Sequence, residues 1–465
     1  MNRKSTYFDQ TWVRIFAAII LLLIALLAGC SGETILDAVF PTRDAQEVLS
    51  TVSTAEEGTS TVAVTEIPAT EDSPTPQPTT QETQPFTVDQ NELLVWVPEE
   101  FSTLSDSEAS LILQQRIEDF ERQNPGTVVT VRVKASSGTS GILDSLSNTQ
   151  QAASAALPQI VLLSQTDMQE AADMQLIVPI EEFIQTAEIK NFYPYAHEIS
   201  RQDGILYGFP FAGDALVGIT TAENAPSEFI EWDDIRSLKA PLYFAANYPQ
   251  ARLFISQYLS SGGILVDEQG HAMIAAENMQ TVLEVFDQNL QNKTFLADFS
   301  SLNTSEDVWN AFLSGETEWI INWASRGLRS DVEGLNIFQL PSLGKESYVS
   351  ATGWVWSIVN IDTGIPELGP QFIEFLSDPV FLADYCQAAG YLPVMPNSLS
   401  LYEDDGSLNQ ISNILIAAHT FPENDLILEI GPIFRDATLS VLNQTSSVEE
   451  IITAAQQQLE ALQTK

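Results

Sequence analysis

The chain has few basic residues. Its 465 residues hold 19 Lys and Arg against 63 Asp and Glu, a formal net charge of −44 at pH 7. Nucleic-acid binding draws on clustered Lys and Arg that displace counterions from phosphates, and no such cluster occurs here. Adhesion to an anionic membrane by charge alone is excluded for the same reason. Cysteine is almost absent, with Cys30 and Cys386 the only two, so no disulfide framework is available. The three histidines, His197, His271 and His419, are scattered without ligand spacing. HExxH, GxSxG, P-loop and CxxC patterns are missing, so neither a metal nor a cofactor is expected. Hydrophobic residues make up 44%, enough to bury a large core.

Only one long apolar run occurs. Ile15 to Ala28, 14 residues, follows the basic Arg3, Lys4 and Arg14. It falls short of the ~20 residues a spanning helix needs and has the length of a signal-peptide core. It ends in Leu27-Ala28-Gly29-Cys30, which resembles a bacterial lipobox, where the cysteine is acylated and the chain is cut just before it. Residues 1–29 are therefore expected to be a lipoprotein signal peptide, with Cys30 lipidated and the protein held on the outer side of a membrane. More than one acyl chain is needed for stable anchoring. Cys386 would then have no partner. It lies in the apolar stretch from Phe381 to Cys386 and reads as a buried small hydrophobe.

Residues 31–86 have a composition of their own: 12 Thr, 5 Ser, 6 Pro and 10 acids, with Arg43 the only base. So little apolar surface cannot offset the entropy of ordering the chain. Residues 30–86 are expected to be a disordered, lipid-anchored spacer spanning roughly 40 Å, with a glycosylated stalk as the alternative.

A globular pattern begins near Glu92. Leu93 to Val97 reads as a strand buried on both faces. Ala109, Leu113, Ile117 and Phe120 fall on one helical face that Pro125-Gly126 ends. Val128 to Val133 reads as a strand, Leu143 to Ala156 as a helix and Gln159 to Leu163 as a third strand. This β-α-β-α-β order predicts a parallel sheet with helices on both faces. Ligands of such sheets lie beyond the carboxyl ends of the strands, which here means Glu99-Glu100 and Ser164-Gln165. Residues 220–345 read as helix-rich, Tyr348 to Asn360 and Tyr391 to Val394 as late strands, and Val448 to Leu462 as a closing helix.

Chemistry-bearing motifs are sparse, and the tryptophans are the informative residues. Trp319 and Trp323 lie four apart, and Trp354 and Trp356 two apart, the same-face spacing of a strand. Flat indole faces stack on sugar C–H surfaces while polar neighbours bond the hydroxyls. The loop from Ser136 to Gly141 precedes a helix but lacks a lysine and phosphate-loop spacing, so it reads as a polar cap.

The order of short motifs from about 92 to the end resembles the family 1 extracellular solute-binding proteins of ABC importers, the group that includes maltose-binding protein. The carrying segments are the strand ending in Trp96 and Phe120-Glu121-Arg122-Gln123-Asn124-Pro125-Gly126. Next come Leu157 to Leu163, with Gln159 where the family usually has Asp, and Leu176 to Ile180. Asp203-Gly204-Ile205-Leu206-Tyr207-Gly208-Phe209-Pro210-Phe211 is the most specific, followed by Phe312 to Glu316 and Gly390 to Pro393.

The resemblance implies an α/β, two-lobed periplasmic-binding-protein type II fold. Each lobe would be a mostly parallel sheet flanked by helices, with a ligand cleft between. Lobe 1 would comprise residues 87–212 plus 353–392, and lobe 2 residues 213–352 plus 393–465. The chain crossings are expected near Ala212 to Ala215, Val349 to Gly353 and Val394 to Ser398. The implied function is that of a non-enzymatic, monomeric binding protein that hands its solute to ABC permease subunits. Ligand contacts are expected from Glu100, Ser164, Gln165, Asp214, Asn247, Arg252, Trp323 and Trp354, with bracing of the hinge as the other role open to Asp214. Residues 87–465 hold 52 acids and 15 bases, a net of −37. That field disfavours anions and tolerates neutral sugars. A mono- or oligosaccharide is therefore the expected solute. A cationic solute such as a polyamine, a ligand sensor and a glycoside-acting enzyme stand as alternatives.

Overall fold

Leu93 to Val97 forms the strand that its unbroken apolar run predicts, β1 (Glu92–Pro98), in the computed structural model. The structure describes residues 92–184, 191–223, 231–296, 299, 301–344, 348–360, 368–402 and 407–464. Cys30, the apolar N-terminal run and the spacer lie outside them. No helix among the described residues is long and apolar enough to cross a membrane.

Strands β2 (Val128–Lys134) and β3 (Ile160–Ser164) pair with β1 in parallel on either side. The intervening helices span Glu108–Gln123 and Ile142–Ala153. The first buries Leu113, Ile117 and Phe120, the face its spacing predicts, and Ser107 caps it by accepting the Ser110 N–H. The second is followed by a short 3-10 turn, Ser154–Ala156. Gln159 ties the start of β3 to β1, its Oε1 accepting the Leu94 N–H at 2.6 Å.

The chain then makes the short β4 (Ile177–Val178) and a hairpin of β5 (Arg201–Gln202) and β6 (Ile205–Leu206). Asp203 and Gly204, at φ 50° and 78°, close this hairpin. Two successive left-handed residues are what a tight two-residue hairpin requires, and Asp-Gly tolerates them. This accounts physically for the most specific of the sequence motifs.

Two long strands organise the rest. β7 (Phe209–Thr220) is buried at all 12 positions, and β11 (Val349–Val359) is nearly so. Between them come β8 (Leu242–Tyr243), β9 (Trp319–Trp323) and β10 (Asn336–Phe338), with β12 (Ala418–Thr420) after β11. The connected sheet runs β2-β1-β3-β11-β7-β9-β8, with β10 on β7 and both β4 and β12 on β11. β7 and β11 each change partners along their length. Residues 209–215 of β7 pair with β11, whereas 216–220 pair antiparallel with β9. Residues 354–358 of β11 pair with β3, whereas 349–351 pair in parallel with β12. The sheet is thus mixed: β1 pairs in parallel with β2 and β3, β8 with β9 and β12 with β11, whereas β7 and β11 pair antiparallel with each other and with their remaining partners.

The change of partner occurs where three passes of the chain lie side by side. Gly213 of β7 faces Gly353 of β11 on one side. On the other it exchanges two backbone hydrogen bonds of 2.8 Å with Leu392. Tyr391 to Val394 contributes only this bridge, not the strand its sequence suggests. Both glycines are required by close approach. A Cβ on Gly213 would overlap the buried Tyr195 hydroxyl, and one on Gly353 would lie 2.5 Å from the Ala212 carbonyl oxygen.

Each half-sheet has its own aromatic core. One gathers Phe101, Phe211, Trp356, Tyr385 and Tyr391; the other gathers Phe244, Phe254, Phe286, Phe295 and Phe434. Cys386 is buried in the first, in the helix Pro379–Ala389, and burial pushes its thiol up to about 12. It is an inert packing residue, as its neighbours suggested.

Candidate functional site

Segments that leave five strands meet in one cleft, whose empty space including its open mouth is about 380 Å3. Gln165 and Thr166 come from the end of β3, and Thr352 from β11. Gln250 and Arg252 follow the loop after β8, and Trp323 ends β9. Phe421, Pro422, Asn424 and Ile427 follow β12. The placement beyond strand ends is where open α/β sheets bind ligands.

Gln165 is 4% exposed and ties the walls together. Its Nε2 donates to the Phe421 carbonyl at 3.2 Å, and its Oε1 accepts from the Thr352 hydroxyl at 3.3 Å. Ser164, beside it, is occupied as the cap of the helix Gln165–Asp173. Its hydroxyl accepts the Asp167 N–H at 3.1 Å and donates to the Asp167 carboxylate at 2.9 Å. Desolvation pushes the Asp167 carboxyl up to about 6, against the lowering effect of that Ser164 bond.

Arg252 opens the helix Arg252–Ser260 from a strained turn. Ala251 before it sits in the left-handed region at φ 45°, a conformation that costs a Cβ-bearing residue about 1–2 kcal/mol and persists only where the surroundings impose it. The guanidinium is clamped. Nε and Nη2 both donate to Gln250 Oε1, at 2.9 and 2.7 Å, and its plane lies 4.8 Å from the Trp323 ring centroid and 4.9 Å from that of Tyr248. Desolvation lowers its pKa, against raising effects of Tyr248 and Asp214.

The remaining sequence candidates lie outside the lining of this cleft. Asp214 is buried, and its carboxylate accepts the Ser325 N–H at 3.0 Å, the Ser325 hydroxyl at 2.6 Å and the Ala215 N–H at 2.9 Å. It braces the start of the helix Ala324–Leu328 that follows Trp323. Desolvation raises its pKa, while these bonds and Arg329 oppose the shift. That placement fits the bracing role and leaves no oxygen of Asp214 unengaged. Glu100 is exposed and accepts from the Ser136 hydroxyl. Asn247 donates to Asn303 at 2.7 Å. Trp354 packs against Phe101 and Tyr391, at 5.3 and 4.6 Å between ring centroids. Gln165, Arg252 and Trp323 are thus the predicted residues that come together.

Sequence reading missed Thr166, Gln250, Thr352 and the Phe421 to Ile427 wall. Thr352 had a usable signal, being next to Gly353 at an expected crossing. The segment after β12 had none, because its place depends on β12 joining β11. No group of His, Cys, Asp and Glu among the described residues could hold a metal.

Residues 115–409 match the family described as bacterial extracellular solute-binding protein. No curated relative matches the sequence. Solved structures with similar folds include maltose-bound MalE3 of T. maritima, at 19% identity and a TM-score of 0.60, covering 80% of this chain and 99% of that one. The cyclic alpha-maltosyl-1,6-maltose binding protein of Arthrobacter globiformis matches at 15% identity and a TM-score of 0.65, covering 80% and 98%. The sugar-binding protein MalE of Xanthomonas citri matches at 17% identity and a TM-score of 0.64, covering 80% and 97%. These neighbours are two-lobed.

Proposed function

The chain belongs to the bacterial extracellular solute-binding proteins, and on that premise we propose that it captures a saccharide between two lobes and presents it to an ABC permease. The observation that carries the reading is the cleft itself. The Trp323 ring, with Arg252 against it, lines the cleft together with the neutral hydrogen-bonding side chains of Gln165, Thr352 and Asn424. This is the pairing that sugar rings and hydroxyls need. Maltose, cyclic maltosyl-maltose and mannotriose are the ligands named for structural neighbours. The lobes divide where β7 and β11 change partners, near residues 212–215 and 349–353, with Leu392 alongside. A cationic solute fits poorly, because Arg252 is the only charged side chain among the lining residues.

A thermal-unfolding panel of neutral and acidic mono- and oligosaccharides tests the proposal. At 100 times its Kd a true ligand adds about 2.7 kcal/mol of stability. If no saccharide of either kind moves the unfolding midpoint, the saccharide reading is wrong.

Anchoring through Cys30 belongs to the same proposal, from the Leu27-Ala28-Gly29-Cys30 sequence after an apolar run of 14 residues. Cys30→Ala is expected to abolish lipidation and leave the chain released or uncleaved. Mass spectrometry that finds diacylglycerol still on the variant would overturn the assignment.

A further inference from the structure

We infer that the cleft is built for a saccharide bearing one carboxylate, such as a uronate residue, with Arg252 as its partner; the inference rests on the saccharide reading above. The guanidinium is half-buried and lacks an ion pair: no carboxylate among the described residues bridges to it. Charges taken out of water are normally paired. Of its five N–H donors, the Nε edge is spent on the neutral oxygen of Gln250, and the Nη1 donors remain. Trp323 and Tyr248 hold its plane, so the charge is positioned in advance. The left-handed Ala251 fixes the turn that delivers it.

A second, independent feature has the same sign. Three helices begin at the cleft: Gln165–Asp173, Arg252–Ser260 and Asn424–Leu442. Each N-terminus carries about half a positive charge. Ala251 and Glu423, which cap the latter two, supply no side-chain acceptor to the first-turn amides. Of the three, only the Arg252–Ser260 start has no acid in its first turn, so Arg252 and that helix start form the positive feature of the cleft inside a strongly acidic protein.

The acids nearest the cleft offset part of this charge, but among the described residues none makes an ion pair with Arg252. Asp214 acts on Arg252, but its oxygens are engaged by Ser325 and Ala215. Asp167 offsets the start of its own helix, since its carboxyl, though pushed up to about 6, is still largely ionised at pH 7. Glu423 and Asp425 flank Asn424 on the exposed side. The more distant acids are screened beyond ~8 Å at physiological salt. The residual field that screening leaves weighs twice on a doubly charged ligand, which favours a single carboxylate over a phosphate.

The test is calorimetry on the full chain with matched probes: a uronate-terminated disaccharide, its neutral hexose counterpart and the corresponding sugar phosphate. The uronate is expected to bind at least about tenfold more tightly than the neutral sugar. Arg252→Gln should weaken uronate binding about ten- to a hundredfold, the range of a charge-assisted bond, and weaken neutral-sugar binding by a clearly smaller factor, that of the lost packing on Trp323. Arg252→Lys should keep the uronate preference at lower affinity. Equal or tighter binding of the neutral sugar, or equal losses for both in Arg252→Gln, overturns the inference and leaves the saccharide reading standing. Tighter binding of the phosphate overturns the choice of carboxylate. Should Arg252→Gln fail to fold, the comparison of probes on the unmodified chain decides.

Discussion

Gly213→Val is expected to lower the unfolding midpoint by at least about 5 °C. Tyr195, which a Cβ at Gly213 would overlap, is 0% exposed, and its hydroxyl donates to the Pro393 carbonyl at 3.3 Å. The ring therefore cannot move aside without breaking a buried bond. Retreat of the Gly213 backbone is blocked as well, by Gly353 on one side and the two bonds to Leu392 on the other. Overpacking a core costs about 1–3 kcal/mol, and more where backbone must shift; each kcal/mol is ~2–4 °C for a domain of 150–250 residues. Thermal unfolding followed by circular dichroism reads this directly. A midpoint within 2 °C of the unmodified chain would show that the three passes are less constrained than the geometry implies.

Asp214→Ala is the second large effect, and it separates two roles for one residue. Removing the carboxylate leaves the buried N–H and hydroxyl of Ser325 without an acceptor, together with the Ala215 N–H. Each buried group left unsatisfied costs about 1–3 kcal/mol. Relief of the desolvation that raises the Asp214 pKa offsets part of the loss. A net destabilisation of about 2–4 kcal/mol is expected in denaturant unfolding, with Asp214→Asn recovering part of it. Saccharide affinity, measured below the unfolding transition, should change less than about threefold. A loss of tenfold or more, with stability unchanged, would show instead that Asp214 touches the solute.

These two residues also mark how far the sequence could be read. Both lie just after the Asp203 to Phe211 motif, from which the resemblance implies a crossing near Ala212 to Ala215; the structure shows β7 pairing with β11 up to Ala215 and with β9 from Leu216. The same motif suggested Asp214 as a ligand contact. Nothing in its spacing shows that Ser325, 111 positions away, fills its oxygens. Trp354 is expected as a stacking face near the hinge, and its spacing puts it on one strand face with Trp356. That parity places both in the aromatic group around Phe101 and Phe211, but parity does not tell which tryptophan meets solvent.

What the sequence by itself determined was local or periodic. The buried strand at Leu93 to Val97, the helix face of Leu113, Ile117 and Phe120, and the buried Cys386 each follow from a few neighbouring residues. Apolar spacing and backbone preference act over single elements, so one segment suffices to read them. Only the tertiary structure decided the composition of the cleft. Gln165, Arg252 and Phe421 become neighbours because β11 accepts β3, β7 and β12 along its length. Such ladders are chosen by the burial of whole faces rather than by any residue's own preference. The charge of the cleft is set in the same way. The sum over residues 87–465 is −37, yet the only charged side chain brought to the lining is Arg252.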